Sequence, residues 1–262
     1  MTEYTFQLSD AELARYRAMA AHALAREGEL WTAAGIVPGA RVVDLGCGPG
    51  TFLADLAERV GSPGRVTGVD AAEDAVRAAG ALVEQLGLGG RVDIVRARIE
   101  DTGLAAGGFD VAFMRNVLGH NGPVLSVILQ HTAALLRPGG HLLAVEPDVT
   151  GLLIPDTAPD EQDLEWRWIT MMRKRGNDPA QGRQLAAVLT QAGFHVDAVQ
   201  ERVDELAVER SPAWTARHAL LADQLATEAD IRRWESAITH RLATTGKLTV
   251  QLPVYCVVAS RP

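Results

Sequence analysis

Between Arg41 and Glu146 five short apolar runs recur, most of them separated by stretches with helical spacing, and few folds accept that pattern. The runs are RVVDL, RVTGVD, RVDIV, FDVAFM and HLLAVE. Phe52, Leu53, Leu56 and Val60 repeat at helical spacing after the first; Val76, Ala79, Val83 and Leu86 do so after the second, with Gly87 as terminator. Pro123 stands where a further helix begins, and Leu136 lies near its end. Alternation of this kind predicts a parallel sheet with helices on both faces.

The flanks add helices. Residues 9 to 35 read as one helix, with Ser9 as cap and Glu12 at the capping-box position. After the fifth run comes a proline-rich connection, PDVTGLLIPDTAPD, and then a helical stretch, EQDLEWRWITMMRK. Asp178, Pro179 and Gln181 read as cap, first-turn proline and capping-box partner of a helix that Gly193 stops. FHVDAVQERV is a sixth strand, two helical segments span roughly 211 to 243, and KLTVQLPVYCVVAS closes the chain as a strand. Pro253 cannot donate to a ladder, so that strand needs a bulge or an exposed edge there. The expected organisation is a leading helical lid over 1–35 and one domain over 36–262, with cap inserts at about 149–180 and 204–245.

Composition narrows the partners. The 262 residues carry a net charge of −8, so a nucleic acid would meet repulsion over most of the surface. No apolar run is long enough to span a bilayer, and the first residues lack the pattern of a signal peptide. Two cysteines give no disulfide framework and no zinc spacing. The expectation is a cytoplasmic protein acting on a small molecule, with no nucleic acid, membrane or metal partner. The oligomeric state is left open, a homodimer being one option.

The glycine loop RVVDLGCGPG is the chemical centre. A triphosphate loop needs a lysine after its last glycine, and Gly50 is followed by Thr51 and Phe52. A dinucleotide suits Asp70, twenty residues past Gly50, but the third glycine comes too early for G-x-G-x-x-G. Asp44 at the mouth is also a poor neighbour for a pyrophosphate, which wants donors and positive charge. An adenosine bearing a sulfonium and an ammonium fits better.

VVDLGCGPG, VTGVD, FDVAFMRNVLGH and LLRPGGHLLAVEPD together resemble the successive motifs of class I S-adenosylmethionine-dependent methyltransferases, over about residues 36 to 150. The nearest flavour is the small-molecule group of ubiquinone/menaquinone-type and natural-product tailoring enzymes. The resemblance implies a Rossmann-like α/β fold: a seven-stranded, mostly parallel sheet with an antiparallel last strand and helical cap insertions. It assigns Asp44, Gly46, Gly48 and Gly50 to the methionine part of the cofactor, with Cys47 inside the loop. Asp70 takes the ribose and Ala71 the adenine. Arg98 stands where the family has an acid, leaving Ile99 to pack on the base and Glu100 to supply the missing acceptor. Arg115 lies where the main chain lines the pocket, and Tyr16 of the leading helix closes over the cofactor.

For the transfer itself, His120 and Glu146 follow strands four and five into the crevice and are the candidate bases. Asn121, Asp148 and Trp168 are candidate acceptor contacts. Trp168 lies in a stripe with Leu164, Met171 and Met172, readable either as a packed helix or as an apolar lid. Two rivals remain: a nicotinamide-dependent oxidoreductase, and a protein of the same fold that binds the cofactor without transferring methyl.

Overall fold

A computed structural model describes residues 10–208 and 210–262, without the side chains of residues 10–19 and 22. The leading helix α1 (Asp10–Ala33) precedes an alternating series: β1 (Arg41–Leu45), α2 (Leu53–Val60), β2 (Arg65–Asp70), α3 (Glu73–Gln85), β3 (Val92–Arg96), β4 (Phe109–Arg115), α4 (Leu125–Leu135) and β5 (Leu136–Pro147). Next come α5 (Pro159–Lys174), α6 (Gln181–Gln191), β6 (His195–Val208), α7 (Pro212–Thr215), α8 (Arg217–Ala222), α9 (Glu228–Thr245) and β7 (Leu248–Ser260). The seven strands form one sheet in the order β3-β2-β1-β4-β5-β7-β6. β1 to β5 pair in parallel, while β7 runs antiparallel to both β5 and β6.

Strand alternation divides the core in two. Val42, Val66, Val111, Phe113, Leu143 and Cys256 face α1, α2 and α3. Val43, Val69, Ala112, Met114 and Leu142 face α4 and α6, through Ile128, Leu129, Leu185 and Leu189. A third cluster stands apart from both: Trp168, Trp214 and Trp234 of α5, α7 and α9 are buried together with Leu164, Met171 and Met172. No described helix is long and apolar enough to cross a membrane.

Several boundaries depart from the sequence reading. β6 runs five residues beyond the expected end, to Val208, because β7 pairs with it as far as Leu248. The second insert therefore starts after β6 instead of at 204, and it carries three short-to-medium helices where two were expected. Pro253 faces Val203 of β6 on one side; on the other β5 has already ended at Pro147, so no ladder partner is lost. The expected capping box at α6 is absent. Asp178 Oδ1 accepts from Ala180 N–H, its Oδ2 accepts from Gln184, and Gln181 meets Asp178 through main chain alone, its N–H donating to Asp178 O (3.2 Å). Ser9 lies outside the described residues, as does the side chain of Glu12.

Candidate active site

β1 leads to β2 and β3 on one side of the sheet, while β4 and β5 lie on the other. The crevice at the carboxyl ends of β1 and β4 is thus the topological switch point, where open α/β sheets bind ligands. Gly46 leaves β1 with φ +82°, and a Cβ there would sit 2.6 Å from Val117 Cγ2. Gly50, at φ +84°, lets the loop approach Ala79 of α3, whose Cα would be 3.2 Å from a Cβ. Both positions exclude a side chain by space and by backbone conformation.

The loop's own amides are occupied. Gly46 and Cys47 N–H donate to Val69 O (2.8 and 3.0 Å), Gly48 N–H to Asp70 Oδ2 (2.9 Å) and Gly50 N–H to Cys47 O (3.1 Å). Pro49 has no N–H to offer. An anion arriving at Gly46 to Gly50 therefore finds no free amide. It finds Asp44 instead, 3% exposed, its carboxyl without a hydrogen bond among the described residues. Burial, with Asp70 nearby, pushes the Asp44 carboxyl up to about 8. A cationic group beside it would restore the ionised form. These residues fit a positively charged ligand and disfavour a pyrophosphate.

Asp70 ends β2 and accepts from Gly48 and Ala72 N–H (both 2.9 Å), which leaves lone pairs on each oxygen for hydroxyl donors. Cys47 tucks against β2, its Sγ 3.0 Å from where a Gly68 Cβ would stand; burial and the two aspartates drive its thiol well above the usual range. That is an inert thiol. Ala71 is exposed, Ile99 is buried in the second core cluster, and Glu100 accepts from Arg98 Nε at 2.5 Å. Tyr16 lies outside the described side chains.

Across the crevice, Asn116 adopts φ +56° and opens a tight turn over Val117–His120. Glu146, 1% exposed, accepts from Val117 and Leu118 N–H (both 2.7 Å) and from Gly119 N–H (3.3 Å). Burial lifts its carboxyl to about 7, and those three donors and Arg115 oppose the rise. Oε1 takes the two short bonds and Oε2 only the longest, so Glu146, expected as a base, is first of all a fastening for the turn. His120 rides on that turn, partly buried, with its imidazole held below the usual range by burial.

The expected acceptor contacts are tied up as well. Asn121 Nδ2 donates to Val117 O (2.7 Å), and Asp148 Oδ1 accepts from Thr150 N–H (2.9 Å) and its hydroxyl (2.5 Å). Trp168, 6% exposed, belongs to the cap's own core, so the packed-helix reading replaces the lid at that residue.

Two residues escaped the sequence reading. Gln181 is 2% exposed, with Nε2 unpartnered among the described residues, and its Cβ lies 3.3 Å from where a Gly119 Cβ would stand. The capping-box pattern had absorbed it. Glu27, buried in α1, pairs with Arg115 and Arg202, and nothing in its local sequence separates it from a solvated helix position.

A family model described as a methyltransferase domain matches residues 36–193. The nocamycin O-methyltransferase of Saccharothrix syringae is 41% identical over 107 residues, covering 40% of this chain and 37% of that one. The ubiquinone biosynthesis O-methyltransferase of Xanthomonas axonopodis pv. citri is 37% identical over 105 residues, 40% of this chain and 41% of its own length. The chain thus spans less than half the length of these curated relatives. A SAM dependent methyltransferase from Aquifex aeolicus shares the fold, with TM-score 0.57 over 95% of this chain and 98% of that one at 16% identity. The family model covers more than half of the 262 residues, and both strands bordering the switch point lie inside it; the chain belongs to the family of methyltransferase domains.

Proposed function

We propose that the chain transfers a methyl group from S-adenosylmethionine to an oxygen, nitrogen or carbon atom of a small organic acceptor. The observation that carries this reading is Asp44, a buried carboxyl with no hydrogen-bond partner among the described residues, at the mouth of a loop whose amides are already bonded. In it, Asp44, Gly46, Gly48 and Gly50 receive the charged amino-acid end, with Cys47 as packing. Asp70 accepts the ribose hydroxyls, and Ala71 and Ile99 border the adenine. Glu100, tied to Arg98, has one oxygen left for the base. Arg115 contributes main chain only, since its side chain is engaged with Glu27.

When bound, S-adenosylmethionine supplies an electrophilic methyl carbon on a sulfur whose positive charge disappears on transfer. The chain therefore needs little charge stabilisation; its work is to line up the acceptor atom at roughly 3 Å. His120, held neutral by burial, is suited to take a proton from an O–H or N–H acceptor. Glu146 holds the turn that carries it. The acceptor binds between this turn and the cap of α5, α7, α8 and α9. Natural-product or quinone-type acceptors accord with what the two relatives' names say of those proteins. Net charge −8 and two free, buried cysteines accord with a cytoplasmic enzyme without a nucleic-acid partner.

Calorimetry with Asp44→Asn tests the reading. Affinity for S-adenosylmethionine should fall about 10- to 100-fold, the size of a lost charged hydrogen bond; unchanged affinity, or tight binding of NAD by the native chain, sinks it. Methyl-labelled cofactor with a panel of phenols, amines and indoles should yield a product heavier by the label. Cofactor binding with no labelled product would favour the non-transferring protein of the same fold.

A further inference from the structure

The turn that carries His120 is gripped from two sides. Glu146 takes its first amides from the β5 side. Opposite lies segment 176–181, the link from α5 to α6. Gly122 N–H donates to Asn177 Oδ1 (3.3 Å), and a Cβ on Gly122 would stand 2.0 Å from Gly176 O and 3.2 Å from Asn177 Cα. Gly176, at φ +77°, fits in turn against Pro123, whose Cγ is 3.1 Å from where its Cβ would stand. Towards the start of the turn, a Gly119 Cβ would meet Gln181 Cβ at 3.3 Å and Asp178 O at 3.4 Å. Gly119 and Gly122 thus flank His120 and Asn121, and one segment crowds both glycines.

That segment is itself anchored. Asn177 N–H donates to Met172 O (2.9 Å), which ties it to the end of α5 and the cap core. Pro179 O accepts from Val149 N–H (2.7 Å), just beyond β5. His120, by contrast, does little for its own placement: its imidazole makes no hydrogen bond among the described residues. A side chain without bonds of its own goes where its backbone is held. For a group that must meet a reacting atom, a displacement of about 1 Å is costly.

We propose that Asn177 is a positioning residue for His120: by holding the Gly122 end of the turn from the cap side, it sets where the imidazole meets the acceptor. This rests on the reading of His120 as the base. Asn177 acts through the main chain of Gly122 and needs no contact with the acceptor.

Asn177→Ala removes the oxygen that Gly122 N–H reaches. With the panel acceptor that takes up label, kcat should fall about tenfold, while KM for S-adenosylmethionine changes by less than about twofold. Asn177→Asp keeps the oxygen and should bring kcat back to within about threefold of the native value. Added to His120→Gln, Asn177→Ala should lower kcat by less than about a further twofold, as befits residues acting through one group. The ring proton resonances of His120, assigned with His120→Gln, give a readout that needs no acceptor. In Asn177→Ala their titration midpoint should move by about half a pH unit towards the ordinary histidine value, because a released imidazole gains water. An unmoved His120 titration in a folded Asn177→Ala protein, or a further tenfold loss in the double variant, overturns the assignment. If Asn177→Ala does not fold, the native Gly122 amide decides. Bonded to Asn177, it should exchange at least about tenfold more slowly than in an unstructured peptide, and unprotected exchange overturns the assignment. Unchanged kcat in His120→Gln overturns the base reading beneath it.

Discussion

β1 and β5 each deliver an acid to the crevice: Asp44 (3% exposed) and Glu146 (1% exposed). Burial raises both, the first to about 8 and the second to about 7. Their surroundings then diverge. Glu146 receives three consecutive amides from the turn after β4, whereas the amides nearest Asp44 bond to Val69, Asp70 and Cys47. One acid is bonded into a wall; the other has no side-chain hydrogen bond among the described residues. Position at a strand end therefore does not distinguish the two acids, and the supply of donors around them does.

The largest effect should come from the wall. Glu146→Ala leaves buried amides without an acceptor, at about 1–3 kcal/mol each, so urea denaturation should show a loss of about 3 kcal/mol or more. A loss below about 1 kcal/mol would put Glu146 in the same class as Asp44. Next, His120→Gln should lower kcat about 100-fold for an O–H or N–H acceptor while leaving the unfolding midpoint in place. An unchanged kcat would assign the proton elsewhere.

The Asp44 side is sharpened by pH. Below about 8 its proton must leave before a cation can pair with it, so affinity for S-adenosylmethionine should rise about tenfold per pH unit and level off near pH 8. Asp44→Asn should flatten that profile, and a flat native profile would remove the distinction between the two acids. Stability of the ligand-free chain should move the other way. Asp44, Glu146 and Glu165, the last also raised to about 7 by burial, keep protons that the unfolded chain releases near their ordinary values of 3.8 and 4.5. The unfolded state then binds fewer protons, so Tm should fall as pH rises from 5 to 8. The smallest effect belongs to Arg183→Ala. That side chain is 54% exposed and 3.3 Å from Asp148. Solvent screening should keep the loss under about 1 kcal/mol, because Thr150 already holds the carboxylate.

Most of the strand-and-helix series is legible in the amino-acid sequence, since each element announces itself within a short window of residues. The glycine loop is legible for the same reason, as Gly46 and Gly50 answer to local backbone conformation and close approach. Cap residues are less so. The stripe of Leu164, Trp168, Met171 and Met172 has the same spacing whether it faces a ligand or a neighbouring helix, and only the packing of α7 and α9 against it decides. Gln181 shows the converse error: a local pattern fitted a cap, while the folded chain used Gln184.

By itself, the sequence determined the order of elements, the parallel sheet, the loop and the acids at its mouth, because these follow from periodicity, glycine placement and residue type over short stretches. Tertiary structure alone decided which acids meet donors. Glu146 meets its amides across 27 to 29 residues of chain, and Glu27 meets its two arginines across 88 and 175. A carboxylate's chemistry depends on which donors the whole fold brings within about 3 Å, and no local pattern encodes that supply.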